Sequence, residues 1–273
     1  MYSAFSDGLH TLAQISGISA LVLTRRQDKL DAALEAWLLQ QLRPVQLVHS
    51  LCSRKPLPDR LAAPAISSRS VYLDSLLELA FRVPPYLEAV DSIVATEYLK
   101  MDSDLSKGLA SLENALRTWL KAFRASHHCL GSHWTTANNV NQGKVPPILV
   151  KSFFSLTCEA LCQICLLLIS ECGLVLRRSK LSQSLSLQQS DLYAADLRNT
   201  TAALMDAASS PACNARAVRG PLHFLNRYYT ERGDQDGLQW CVQTKDRVCK
   251  AAPYLYWDGL LPQTLMALTC MPG

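Results

Sequence analysis

The sequence predicts an all-α fold, an irregular array of about nine helices around one buried apolar helix, held as a single domain over residues 1–273. Three observations carry that expectation. Apolar residues recur at the spacing that gives a helix one apolar stripe through most of the chain. No run of alternating β-branched residues calls for a strand. The composition, 49% hydrophobic against 18% charged, supplies the apolar side chains of a large helix-lined core. The pattern has no strict period, which excludes a regular solenoid.

Each element follows from local spacing. Between residues 4 and 23, Leu9, Leu12, Ile15, Ile18 and Val22 make one stripe. Asp31 opens a second run through Leu34, Trp37, Leu38, Leu42, Val45 and Val48, with a kink expected at Pro44 and an end near Leu51. The three prolines of 56–69 mark an exposed connection. Helical spacing resumes at Tyr72, Leu73, Leu76, Leu77 and Ala80, and should stop near Arg82 because prolines follow. Pro85 is suited to begin the next helix, which carries Leu87, Val90 and Ile93 toward Leu99. Asp104 or Ser106 is placed to cap a helix containing Leu109, Leu112, Leu116, Trp119, Leu120 and Phe123. Residues 127–147 turn polar and read as a long loop.

The run from 148 to 176 is the most apolar in the chain, so a membrane span is the first alternative for it. Lys151, Glu159, Gln163 and Glu171 interrupt it, and a buried helix is the expectation. The Ser/Gln-rich stretch 177–190, RRSKLSQSLSLQQS, reads as a linker. A further helix is marked by Ala194, Leu197, Thr201, Leu204 and Met205. Two more are expected at about 221–232 and 235–250, joined at Gly233-Asp234.

Charge and cysteine usage narrow the function classes. Lys and Arg number 27 against 23 Asp and Glu, a net charge of +4 without any block of five like charges, so no strong electrostatic pull toward nucleic acid is expected. Ten cysteines without a preceding secretory signal point to a reduced, intracellular protein. Cys158, Cys162 and Cys165, with Cys172 beyond them, resemble a metal-ligand series at first sight. Apolar residues surround them and no neighbouring His completes a tetrahedral set, so they are expected to be core thiols.

His127, His128 and His133 lie near Cys129 and near Asp102 or Asp104 in sequence, but their spacing fits no ligand pattern and they are expected to be solvated. Arg25, Arg26 and Lys29, and likewise Arg177, Arg178 and Lys180, follow apolar helices, where cations complement the helix dipole. Phosphate contact or a nuclear-import role is the weaker reading of both clusters. Gly-rich phosphate loops, nucleophile elbows and His-Glu-x-x-His are missing, and Asp234-Gln235-Asp236 reads as a turn and cap. No catalytic residue, metal or cofactor is therefore assigned.

Short motifs then follow one another along residues 9–248. They are His10-x4-Ile15-Ser16-Gly17-Ile18 with Leu23-Thr24-Arg25-Arg26, Leu42-Arg43 with the 51–58 segment LCSRKPLP, and Asp74-Ser75-Leu76-Leu77-Glu78-Leu79-Ala80. Leu112-Glu113-x2-Leu116-x2-Trp119 comes next, and Gly220-Pro221-Leu222, Arg232-Gly233-Asp234 and Leu238-Gln239-Trp240-Cys241 close the series. In this order they resemble the regulatory domain of fungal binuclear zinc-cluster transcription factors. The resemblance implies an all-α regulatory domain in the nucleus, acting through protein-protein contacts or ligand sensing and tied to a secondary-metabolite gene cluster. Its implied partners are other transcription regulators, a second copy of the chain, or a small apolar ligand, with no membrane involved.

The first 50 residues contain no cysteine, so the zinc-cluster module is absent there and no sequence-specific DNA binding is expected of this chain alone. Gly220-Pro221 is expected to break one helix and start the next, and Gly233-Asp234 to close one and cap another. The competing expectation is an enzyme or accessory biosynthetic protein that uses the helical scaffold around an apolar pocket, because a fold does not fix a function.

Overall fold

The computed structural model describes residues 43, 46–56, 71–95, 103–128, 153–176, 180–207 and 211–251. Among them there is no strand, and the all-α class holds. A helical segment at 46–53 precedes α1 (Val71–Ala80), α2 (Val83–Ala95), α3 (Ser103–His128), α4 (Phe153–Leu176), α5 (Lys180–Met205), α6 (Pro211–Arg232) and α7 (Gln235–Ala251). These seven helices of the described residues compare with about nine expected. The helix expected at 4–23, the basic cluster at Arg25, the Pro44 kink and most of the 56–69 and 127–147 connections lie outside the described residues.

Local chemistry explains the short joints. Pro84 and Pro85 both sit in the first turn of α2, where the missing N–H would have had no helical partner anyway, so only Phe81 and Arg82 separate α1 from α2. Gly233 takes φ +66° and closes α6, with Gly233 N donating to Thr230 O at 3.2 Å and Asp234 N to Tyr229 O at 3.0 Å. The Asp234 carboxylate then accepts from Gly237 N at 2.9 Å and caps α7, as the Gly233-Asp234 pair predicts. Gly237 lets α7 lie close to α6, since a Cβ there would overlap the Tyr229 ring.

Two sequence expectations are corrected. The 177–190 stretch is not a linker throughout, because α5 begins at Lys180, and Lys180 therefore opens α5 instead of trailing α4. Two of its serines, four residues apart, are buried: Ser186 and Ser190, and the Ser190 and Ser170 hydroxyls lie 2.7 Å apart. Serine in a helix satisfies its hydroxyl on the preceding turn, as Ser190 does by donating to Ser186 O at 3.0 Å. Small side chains thus bring α5 close to α4, and that contact outweighs a composition typical of linkers.

Pro221 does not start a helix. It lies inside α6, which begins ten residues earlier at Pro211. An interior proline costs about 3 kcal/mol, whereas burying each large apolar side chain contributes about 1.5–3 kcal/mol. Val218, Leu222, Phe224 and Leu225 are all buried around it, so continuing the helix is favoured. Gly220 removes the side chain that a following proline ring would crowd.

α4 is buried without interruption from Ser155 to Ser170 and packs against α1, α2, α3, α5 and α6. It is long and apolar enough to cross a bilayer by length and composition, yet 89% of its most apolar window is buried by the other helices. Beside it Trp119 and Phe123 of α3 stack at 4.7 Å, with Tyr72 of α1 edge-on to Phe123. Trp119 Nε1 donates to Ser75 Oγ at 3.0 Å, which satisfies the indole in the core. Arg54 ends the 46–53 segment with φ +55° and makes a two-pronged ion pair with Asp91 of α2, at 2.7 and 2.8 Å. Its Nη2 also reaches Cys172 Sγ of α4 at 3.8 Å, so one left-handed residue ties three elements together.

Candidate functional site

α3 and α5 lie on α4 as two walls on a floor, with a groove between them. The floor is low because its side chains are small: Ser170, and Gly173, where an added Cβ would meet nothing within 4 Å. The groove holds two cavities of about 520 and 450 Å³ that share Arg117 and Gln189. Leu109, Ile169, Leu176, Leu185 and Leu192 give the first cavity an apolar side, and Glu113, Arg117, Ser186, Gln188 and Gln189 an equally large polar one. Arg117, Lys121, Arg124, Tyr193 and Asp196 make the second one charged.

Buried charge lies beneath the second cavity. Glu159 of α4 has no exposed surface, and Arg124 reaches it at 3.6 Å while contacting Asp196 of α5 at the same distance. Tyr193 donates its hydroxyl to Glu113 at 2.7 Å, and burial followed by that carboxylate pushes the phenol above its ordinary value. Ser186 is 4% exposed, and its hydroxyl has no hydrogen-bond partner among the described residues. Arg117 and Lys121 make no ion pair among the described residues. Leu185 and Leu192, two turns apart on α5, remain 58% and 57% exposed at the cavity mouth.

The sequence-marked residues fall elsewhere. Cys158, Cys162, Cys165 and Cys172 are all buried in α4. Burial pushes the Cys165 thiol up to about 12 and the Cys172 thiol to about 11, with Cys158 and Cys162 raised by the same cause. A thiol held protonated by burial is a poor nucleophile at neutral pH. Cys162 donates instead to Leu116 O at 3.6 Å.

Asp104 pairs with Lys107 in the first turn of α3, whereas His127 and His128 end that 26-residue helix, so about 35 Å of helix separates them. Asp102, Cys129 and His133 lie outside the described residues. Among the described residues no group of three or more His, Cys, Asp and Glu is placed to hold a metal ion. The purified chain is expected to retain no stoichiometric zinc after dialysis without chelator, and a full equivalent by elemental analysis would overturn this account of the cysteines.

A smaller cavity of about 250 Å³ between α6 and α7 is lined by His223 and Cys241. Burial, and then the Arg227 guanidinium, hold the His223 imidazole below its ordinary value of 6.5, and burial does the same to His49. The unfolded chain therefore takes up protons that the folded chain refuses, so stability is lost as pH falls below about 6.5. Urea unfolding at steps between about pH 7.5 and pH 5 should show this decline, and His223→Gln should flatten it. An unchanged slope in the variant would remove His223 from the explanation.

The groove residues were not singled out from the sequence. Glu113, Arg117, Lys121 and Arg124 do carry a signal, because their spacing places them on one face of α3, beside the face of Leu112, Leu116 and Phe123. Glu159 shows in the sequence only as an interruption of the apolar run, with no sign of its partner. Comparison with protein-family models, with curated proteins and with solved structures finds no match to this chain.

Proposed function

We propose that this chain is a helical regulatory domain of the transcription-regulator type, nuclear, and acting through protein contacts or a bound small ligand without reading DNA by itself. We read α4 as the hub of its array. The observation that carries the reading is the α3–α5 groove, a preformed concavity lined by apolar, polar and charged side chains together. Such a surface suits recognition. The ordered motifs, which resemble those of fungal zinc-cluster regulators, support the same reading. Leu112, Leu116 and Trp119, which carry one of those motifs, are buried, and Gly233 and Asp234, which carry another, form a turn and a cap. The burial of α4 favours a soluble regulator over a membrane protein.

The full chain fused to a heterologous DNA-reading module should raise or lower a reporter driven by that module's site, and the unfused chain should not. A fusion that reaches the nucleus, accumulates, and leaves the reporter unchanged would refute the regulatory reading.

A further inference from the structure

We infer that the cleft between α6 and α7 is a docking site for the chain's own segment 252–273, taking the Trp257 indole between the helices and the Asp258 carboxylate at Arg219 and Lys245. The site is separate from the α3–α5 groove. Its lining asks for an apolar occupant that carries one negative charge. Most of the lining surface is apolar, supplied by Leu222 of α6 and by Cys241 and Val242 of α7. Both charged residues in the lining, Arg219 and Lys245, are cations. Burial holds the His223 imidazole neutral at pH 7, so it adds no third charge. At about 250 Å³ the cleft is smaller than small-molecule sites, which run from about 300 to 1,000 Å³, and it suits one large side chain. Val242 in the lining is 51% exposed, so the described helices leave apolar surface uncovered there.

The chain beyond α7 has the matching chemistry. Residues 254–261, YLYWDGLL, hold three aromatic rings and three leucines around Asp258. Asp258 is the one charged side chain of 252–273, opposite in sign to the two in the cleft. Reach is ample. α7 ends at Ala251, and Pro253 disfavours helical backbone at the residue before it, so the chain has to leave the helix direction there. The cleft lies beside residues 242–245, about 9–14 Å back along the axis of α7. The six residues from Ala251 to Trp257 extend to about 20 Å, enough to reverse and arrive. Tethering also favours this occupant over a free peptide, because a short linker gives an effective concentration on the order of millimolar.

The test follows chymotryptic release of the segment from the purified full chain by mass spectrometry, since cleavage of a docked segment tracks its open population. Asp258→Lys should speed release about tenfold or more, the factor that 1.4 kcal/mol represents. Val242→Glu and Lys245→Glu, at exposed positions of α7, should do the same by repelling Asp258. The exchange Lys245→Glu/Asp258→Lys should release the segment about threefold or more slowly than either single variant, the coupling expected of a direct charge pair. Trp257→Ala, read by cleavage after Tyr254 and Tyr256, should match Asp258→Lys. All five proteins should keep the cooperative thermal transition of the wild type, because none of the substitutions touches a buried position of α7.

Wild-type release as fast as that of Asp258→Lys would overturn the placement, and so would a charge exchange without recovery. Wild-type resistance in Trp257→Ala would remove the indole from the cleft. Protection that disappears on dilution would seat the segment in a second copy of the chain and overturn the assignment as well.

Discussion

Leu161→Asp should leave the chain unable to hold its fold. Leu161 is 5% exposed in the middle of α4, and its neighbours in that helix, Ala160, Cys162 and Ile164, are buried as well. The substitution removes a core side chain, worth about 2–5 kcal/mol in comparable truncations, and adds the desolvation of a carboxyl group. Native stability is about 5–15 kcal/mol, so the sum consumes most or all of it. The mutant should appear in the insoluble fraction, or give a weak helical signal without a cooperative thermal transition. Leu161→Met keeps volume and apolarity and should cost less than about 1.5 kcal/mol, which separates the charge effect from mere sensitivity of the site. The wild type should remain in the supernatant after high-speed centrifugation. Recovery only with detergent would mean that α4 meets lipid, and a soluble, cooperative Leu161→Asp would mean that α4 does not organise the core.

The second large effect concerns the charge below the groove. Arg124→Leu takes the guanidinium from Glu159, whose side chain has no exposed surface, and should destabilise the protein by about 2–4 kcal/mol. The figure sits below the usual range for a broken buried pair because Arg124 is itself 33% exposed. The complementary change is gentler. Glu159→Leu leaves Arg124 partly in water and facing Asp196, and an apolar residue suits the interior of α4. The double variant Arg124→Leu/Glu159→Leu should therefore recover most of the loss. Urea unfolding of the four proteins gives the coupling energy. Additive effects, or an Arg124→Leu protein within about 0.5 kcal/mol of wild type, would show that the pair does not compensate the buried carboxylate.

Much of the fold was legible because helix signals are local. Leu76, Leu77 and Ala80, or Leu109, Leu112, Leu116 and Phe123, fall on one face by spacing alone, and the structure buries them. The Gly233-Asp234 joint was legible for the same reason, since a glycine that takes φ +66° and a carboxylate that accepts from Gly237 N act within a few residues. The α4 cysteines read as apolar from their neighbours, and their burial agrees with that reading.

Where the chain defied expectation, partners distant in sequence decided. The Ser/Gln stretch is helical because Ser186 and Ser190 are buried and Ser190 meets Ser170 of α4, a surface absent from the stretch itself. Pro221 stays within α6 because the side chains buried around it outweigh one lost hydrogen bond. The groove is the extreme case. Arg124 and Glu159 are 35 positions apart, and Ser186 becomes an unsatisfied buried hydroxyl only once α5 lies on α4. The sequence by itself determined the helices, their apolar faces and the tight turn before α7, because spacing and capping act over one or two turns. Tertiary packing alone decided which polar groups were buried and where a concavity opened, because burial and charge pairing depend on distances that sequence separation does not record.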